Sequence, residues 1–298
     1  MPARTLRQNR EIKKLFRAKI RAKIEREKQE MRTRIDEEVP SWIRWALKPL
    51  AELSFDAARA KDASRGEGGE DAAAVRLWLF LSRDWVLVND VVLEPEPDEF
   101  AQIDHVLVGP PGIYLVETKA WEGALMGNRD RWKRKQGSSW VPCESPTRQN
   151  LRHKRLFLKW LAGTRLDLPG HPEEYVTPVV LFTRARWLKT KECSMPVFDS
   201  GAALAFWLRR QGRDRVLSPE QVEAVAAAVA EARPWEVGRT GVEVTRGRNR
   251  QGREYVKVRG TREEAEAIRR EYAERGYVVS TLVADRFEAG GWFFYLDG

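Results

Sequence analysis

One stretch limits the fold of this chain more than any other: QIDHVLVGPPGIYLVETK, residues 102–119. Two apolar runs of strand length flank Gly109-Pro110-Pro111-Gly112, a sequence that ends one strand and starts another. The pattern predicts an antiparallel hairpin, with one strand over 102–109, a turn at 110–112 and a second strand from Ile113 onward. Charge interrupts both runs, as Asp104 in the first and as Glu117 and Lys119 in the second. Residues two apart on a strand share a face, so Glu117 and Lys119 lie with Ile113 and Leu115, and Asp104 lies with Val106 and Val108. Closing the hairpin brings Asp104 roughly opposite the Glu117–Lys119 end.

Two carboxylates and an ammonium would be costly to bury unpaired. Together they suit a hard divalent cation. Carboxylate oxygens hold Mg²⁺ while water and a substrate phosphate complete its shell. A neighbouring lysine can orient water or offset charge developing on phosphoryl oxygens. His105 falls on the opposite face from Asp104 and reads as structural, and Tyr114 reads as core.

The rest of the chain narrows the chemistry by exclusion. Cys143 and Cys193 are far apart and form no Cys-x-x-Cys, which argues against a zinc site or a disulfide framework. His105, His153 and His171 are scattered, with no metalloprotease or Ser/His/Asp arrangement. No apolar run reaches the length of a membrane span and the basic start lacks an apolar signal core, so no stable membrane insertion and a cytoplasmic location are expected. The 298 residues are 42% hydrophobic and 33% charged, with a net charge of +9. That suits a well-cored protein with a polyanionic partner: nucleic acid, an anionic membrane or an acidic protein.

Three regions are expected. Residues 1–62 read as a basic amphipathic helical arm. Ile12, Phe16, Ile20, Ile24, Met31 and Ile35 share one arc of a helix over residues 1–38, with Arg and Lys crowding the other faces. Such a helix either packs on its own domain or a second copy, or lies along nucleic acid; it is also a candidate homodimer interface. A short helix over 41–53 carries Trp42 and Trp45, and a turn-rich linker follows at 63–71. Residues 63–235 read as the main domain. It has helices near 71–81, 145–163 (capped by Ser145, with Pro146 first) and 218–232, and further strands over 85–94 and 176–183. Residues 240–298 read as a small ββαββ module.

The Asp104…Glu117-Thr118-Lys119 arrangement resembles the Asp…Glu-x-Lys core of the PD-(D/E)XK nucleases. The wider frame over residues 66–184, from GEDAAAVRLWLF through IDHVLVGPPGIYLVETK and SPTRQNLRHKRLFLKWL to TPVVLF, resembles the nuclease-related domain (NERD) of that superfamily. The resemblance implies an α/β fold with a mixed-sheet core flanked by helices. It implies metal binding by Asp104, Glu117 and the Thr118 carbonyl, with Lys119 assisting catalysis. Glu70 matches an acid that such folds place near the metal, although an acid in a helix's first turn is also favoured by the macrodipole alone. Gln149 matches a polar position on the helix after the core sheet. Mg²⁺ is the implied cofactor, with Mn²⁺ as a substitute.

The implied activity is phosphodiester hydrolysis, with DNA favoured over RNA, by an endonuclease of defence, restriction or repair. Basic residues could grip such a substrate: Lys133 and Arg134 beside Trp121 and Trp132, and Arg248 and Arg250 in the last module. Ordinary solvated strands would carry the same charges. Two rivals stand beside this reading: a nucleic-acid-binding protein with an idle nuclease fold, and a membrane-surface or partner-docking protein led by residues 1–53.

Overall fold

A computed structural model describes residues 2–38, 81–164, 166–211, 215–234, 242–249, 251–274, 276–286 and 290–297. The expected helices at 41–53 and near 71–81, the linker at 63–71, Glu70 and Arg250 lie outside these residues, except for Leu81. The described chain is α/β, with six helices and three sheets. No described helix is long and apolar enough to cross a membrane.

The main sheet has the order β1-β2-β3-β4-β8-β10: β1 (Arg4–Arg7), β2 (Val86–Glu96), β3 (Glu99–Gly109), β4 (Gly112–Lys119), β8 (Val176–Phe182) and β10 (Val197–Phe198). It is mixed. β2, β3 and β4 run antiparallel in turn, whereas β4, β8 and β10 are parallel and β1 is parallel to β2. The hairpin forms as expected, with Gly109 paired to Gly112 across Pro110-Pro111. Gly112 has φ 141°, and a Cβ there would stand 2.4 Å from the Tyr175 carbonyl oxygen, so only glycine fits. The N–H groups of Val216 and Leu217 donate to the Pro110 carbonyl at 2.8 and 2.9 Å, fastening the turn.

Helix α2 (Pro146–Ala162) connects the hairpin side of the sheet to β8. Ser145 caps it by accepting the Arg148 N–H, Pro146 fills the first turn and Gly163 ends it. Thr147, Asn150, His153, Leu156, Phe157 and Leu161 are buried at helical spacing on its sheet-facing stripe. Leu156, Phe157 and Leu161 pack with Val106, Val108, Ile113 and Leu115. Asn150 donates to the carbonyls of Leu115 on β4 and Val179 on β8, at 2.9 and 2.8 Å. The short helix α3 (Pro172–Tyr175) leads into β8, and α4 (Gly201–Gln211) follows β10. Helix α5 (Pro219–Ala230) carries the expected Ser218–Gln221 capping box with both hydrogen bonds present.

β4 and β8 do not stop at the sheet's edge. After short links they continue as β5 (Gly123–Asn128) and β9 (Ala185–Lys191), again parallel. With β6 (Arg131–Gln136) and β7 (Ser139–Cys143) they make a second sheet of order β7-β6-β5-β9. Leu125, Trp132, Phe182 and Met195 fill the space beneath it.

The N-terminal helix is shorter than expected. α1 spans Arg10–Glu38, because residues 4–7 pair with the edge of β2 as strand β1. The buried Gln8 amide closes the junction, donating to the carbonyls of Val92 and Ala232 and accepting the Val92 N–H. Ile12 and Phe16 then pack on Val92, with Ile20 and Phe100 at the margin. Cations beside that stripe are used on the same contact. Lys13 pairs with Asp90 at 2.5 Å, Lys19 with Glu94 at 2.7 Å and Arg26 with Asp98 at 2.8 Å, while Lys23 donates to the Asp98 carbonyl at 2.6 Å. The stretch of α1 from Ile12 to Arg26 is therefore packed on the body of the protein, and these four cations are committed to it.

The last sheet has the order β11-β12-β15-β13, with β14 also on β15: β11 (Glu243–Arg248), β12 (Glu254–Arg259), β13 (Val278–Val279), β14 (Val283–Ala284) and β15 (Gly291–Asp297). The single strand expected near 277–285 is instead two short ones. Helix α6 (Arg262–Glu274) begins at the expected Thr261–Glu264 capping box. Val244, Val256, Val258, Tyr272 and Phe294 form the core of this unit. Glu96 on β2 ties it to the rest of the chain, pairing with Lys159 of α2 and Arg246 of β11.

Candidate active site

The site begins where the regular pleat fails. Ala101, Ile103, Val106 and Val108 all join one apolar cluster, as do Val86, Val88, Val91 and Leu93. Strict alternation would split each group between two faces. The slip falls at Asp104 on β3 and opposite it at Asp90, whose φ is 51°. The face assignment expected for Asp104 from simple alternation is corrected accordingly. The β3–β4 pairing extends from the turn as far as His105 with Val116. Beyond it the Asp104 side chain takes over, its Oδ2 accepting the Thr118 N–H at 2.6 Å. The Lys119 carbonyl accepts the Thr183 N–H at 3.0 Å. Since N–H and C=O of one strand residue point the same way and alternate along the strand, the Thr118 carbonyl is directed to the β3 side, beside Asp104.

Glu117 and Lys119 project from the same strand toward α2, as the two-residue spacing requires. They are 1% and 4% exposed, which excludes an ordinary solvated surface pair. Lys119 Nζ donates to Glu117 Oε1 and, at 3.1 Å, to Gln149 Oε1. Gln149 thus meets Lys119 directly from the first turns of α2. His153, one helical turn on, is 4% exposed and holds Nδ1 3.4 Å from Glu117 Oε2. Burial pushes the Glu117 carboxyl toward neutrality, but His153 and Lys119 outweigh it and hold its pKa below the ordinary value. Glu117 is therefore an anion in its sealed setting.

His153 is the residue that sequence reasoning missed. Counted among scattered histidines, it belongs to a polar series, Thr147, Asn150 and His153, spaced by three on the otherwise apolar face of α2. That spacing was the available signal. His105 is buried with Nδ1 2.8 Å from Asn89 Oδ1, and Tyr114 is 4% exposed in the core; both match expectation.

The donor set fits a magnesium-type cation in part. Glu117 Oε2 is buried without a hydrogen-bond partner, and Asp104 and the Thr118 carbonyl stand on the adjoining strands. Among the described residues, no three His, Cys, Asp or Glu side chains form a ready metal cluster. Two carboxylates and one carbonyl are a sparse protein set, of the kind Mg²⁺ accepts because it retains water.

The expected nucleic-acid contacts are placed unevenly. Lys133 and Arg134 are exposed on β6. Trp132, between Arg131 and Lys133, is corrected to a core residue: it is 2% exposed and donates to Thr147 Oγ1 at 3.0 Å. Trp121 also packs inward, its ring 5.7 Å from Phe182. Arg248 is exposed but pairs with Glu254 at 2.7 Å, and Arg246 is held by Glu96 and Glu254.

Comparison with known proteins adds a family to this geometry. Residues 65–183 match the nuclease-related domain, NERD. Asp104, Glu117, Thr118, Lys119, Gln149 and His153 all fall within the matched residues. An uncharacterized protein of Bacillus anthracis is 26% identical over 104 residues, covering 34% of this chain and 49% of that protein. The chain thus spans about half the length of this curated relative. No solved structure gives a significant match.

Proposed function

We propose that the nuclease-related domain of this chain is a PD-(D/E)XK-type, Mg²⁺-dependent nuclease that hydrolyses phosphodiester bonds of DNA. A role as an endonuclease in defence, restriction or repair follows from the same resemblance. The single observation that carries the reading is the sealed Glu117–Lys119 pair, with Asp104 turned onto the next residue's N–H. A buried ion pair seldom stabilises a fold more than apolar side chains would. Its presence at the end of a core strand is what a reaction site requires.

Asp104, Glu117 and the Thr118 carbonyl would hold Mg²⁺. When bound, the cation supplies positive charge that polarises the phosphodiester and makes water more acidic. Lys119, steadied by Gln149, would orient the attacking water and offset charge on the phosphoryl oxygens. The water oxygen bonds to phosphorus, one P–O ester bond breaks, and the leaving oxygen gains a proton. His153 keeps Glu117 ionised, so that the carboxylate remains a cation ligand.

The test is cleavage of DNA and RNA with Mg²⁺ or with EDTA, using wild type and Lys119→Ala. Metal-dependent DNA cleavage is expected, abolished by EDTA and lowered about 10²- to 10³-fold by the substitution. Salt-sensitive binding with no metal-dependent cleavage of any substrate would replace this reading with that of an idle nuclease fold.

A further inference from the structure

We propose that the outward face of the four-stranded sheet β7-β6-β5-β9 is a platform for single-stranded nucleic acid, centred on Trp140 and Trp187. The inference deepens the nuclease reading and takes its substrate class from it, but the binding it describes needs neither metal nor turnover.

The strand register defines the platform. Leu125, Gly127, Trp132 and Cys143 lie on the inner side, over Phe182. The alternate residues face outward. Lys189, Met126, Lys133 and Pro142 form one row across all four strands. In the adjoining row Trp187 pairs with Ala124, and Lys135 pairs with Trp140. The alanine leaves room above the sheet, and the two indoles meet across it with ring centroids 5.9 Å apart. Trp187 remains 47% exposed. A half-exposed indole resting on a second, partly buried one in the middle of a charged face is not explained by core packing.

The surrounding charge selects the occupant. Among the described residues, Lys133, Lys135 and Lys189 have no acidic partner; Glu192, at the sheet's end, pairs with Arg129 and Lys191. Cations around exposed aromatic rings are the chemistry of single-strand binding: phosphates meet the lysines and unpaired bases stack on the rings. A duplex keeps its base faces inside its own stack and could use only the lysines. An anionic membrane would use the charge but has no flat bases to lay on the indole faces. The platform also begins just past Lys119, because β5 follows β4 after a short link. A strand held there is therefore held on an extension of the strand that carries the site.

The experiment is fluorescence anisotropy with a labelled deoxythymidine 12-mer and a labelled 12-base-pair duplex, in EDTA, on the full chain. Wild type is compared with Trp140→Ala/Trp187→Ala and with Trp140→Phe/Trp187→Phe; circular dichroism reports folding. The alanine pair is expected to weaken single-strand binding about 10- to 100-fold and duplex binding less than twofold, and the phenylalanine pair to restore most of the affinity. Replacing Lys133 and Lys189 by glutamine should flatten the dependence of log affinity on log salt by about 0.7 for each phosphate no longer neutralised. Unchanged 12-mer affinity in a folded alanine variant overturns the platform, as does preferential binding of wild type to phosphatidylserine vesicles with none to the 12-mer. If the platform binds as described while wild type cleaves nothing in Mg²⁺, the catalytic reading falls and the platform stands.

Discussion

Charge is buried at two places in the main sheet, and they are built differently. At the far end of β2, Glu94, Glu96 and Asp98 are 3, 2 and 9% exposed. Their partners are Lys19 and Arg26 from α1, Lys159 from α2 and Arg246 from β11. Those pairs join segments distant in sequence. At the end of β4, Glu117 and Lys119 are two residues apart and, among the described residues, their side chains pair with each other and with α2, which Leu156, Phe157 and Asn150 already hold in place. The first cluster is adhesive. The second joins nothing that would otherwise separate, which is the contrast that the proposed reaction site rests on.

Four measurements can break or sharpen that contrast. The largest effect is expected at β4: Asp104→Asn should lower cleavage about 10²- to 10³-fold with little change in urea stability. Equal loss of both would remove the distinction. Next, Glu94→Ala leaves Lys19 without its carboxylate and the Asp98 N–H without its acceptor. It should cost about 3 kcal/mol in urea unfolding, while cleavage per folded molecule stays unchanged. Third, Glu117→Gln/Lys119→Met removes both buried charges at once and should lower cleavage to a similar degree as Asp104→Asn while raising stability by about 1 kcal/mol. A loss of stability as large as that of Glu94→Ala would show that the site pair is adhesive too. The smallest effect concerns Glu254, whose carboxyl is held below its ordinary value chiefly by the hydrogen bond from Arg246. A lowered folded-state pKa adds stability above the ordinary glutamate range, and that stability disappears as pH falls through the lowered value. Thermal scans should accordingly show wild type slightly more stable than Glu254→Gln at pH 7 and losing stability more steeply in acid, so that the difference closes at low pH.

The hairpin and α2 were legible because their signals are local. Gly-Pro-Pro-Gly fixes the turn, and Ser145, Pro146 and Gly163 bound the helix. That Glu117 and Lys119 share a face followed from strand periodicity; reading them as a site also took the turn spacing and the resemblance. The pleat slip at Asp104 was not legible, since it arises jointly on two strands and shows in neither run by itself. β1 was missed for a related reason: Arg-Thr-Leu-Arg has one apolar residue and becomes a strand only because the edge of β2 is there to receive it. β6, read as a basic run or an ordinary solvated hairpin, has one buried residue, Trp132, so its packing role surfaced only with Phe182 beneath it. The basic residues of α1 and β11 invited a nucleic-acid reading because their acidic partners lie far along the chain, out of reach of any local pattern.

The strand at Arg4–Arg7 has a practical consequence for anyone shortening this protein. It occupies the outer rim of an eleven-residue strand, β2, that is buried along most of its length. Deleting it would uncover a row of backbone donors and acceptors ready to recruit the same strand from other molecules. A truncation meant to probe α1 should therefore retain residues 2–9, or its behaviour will report edge-to-edge pairing of the cut protein.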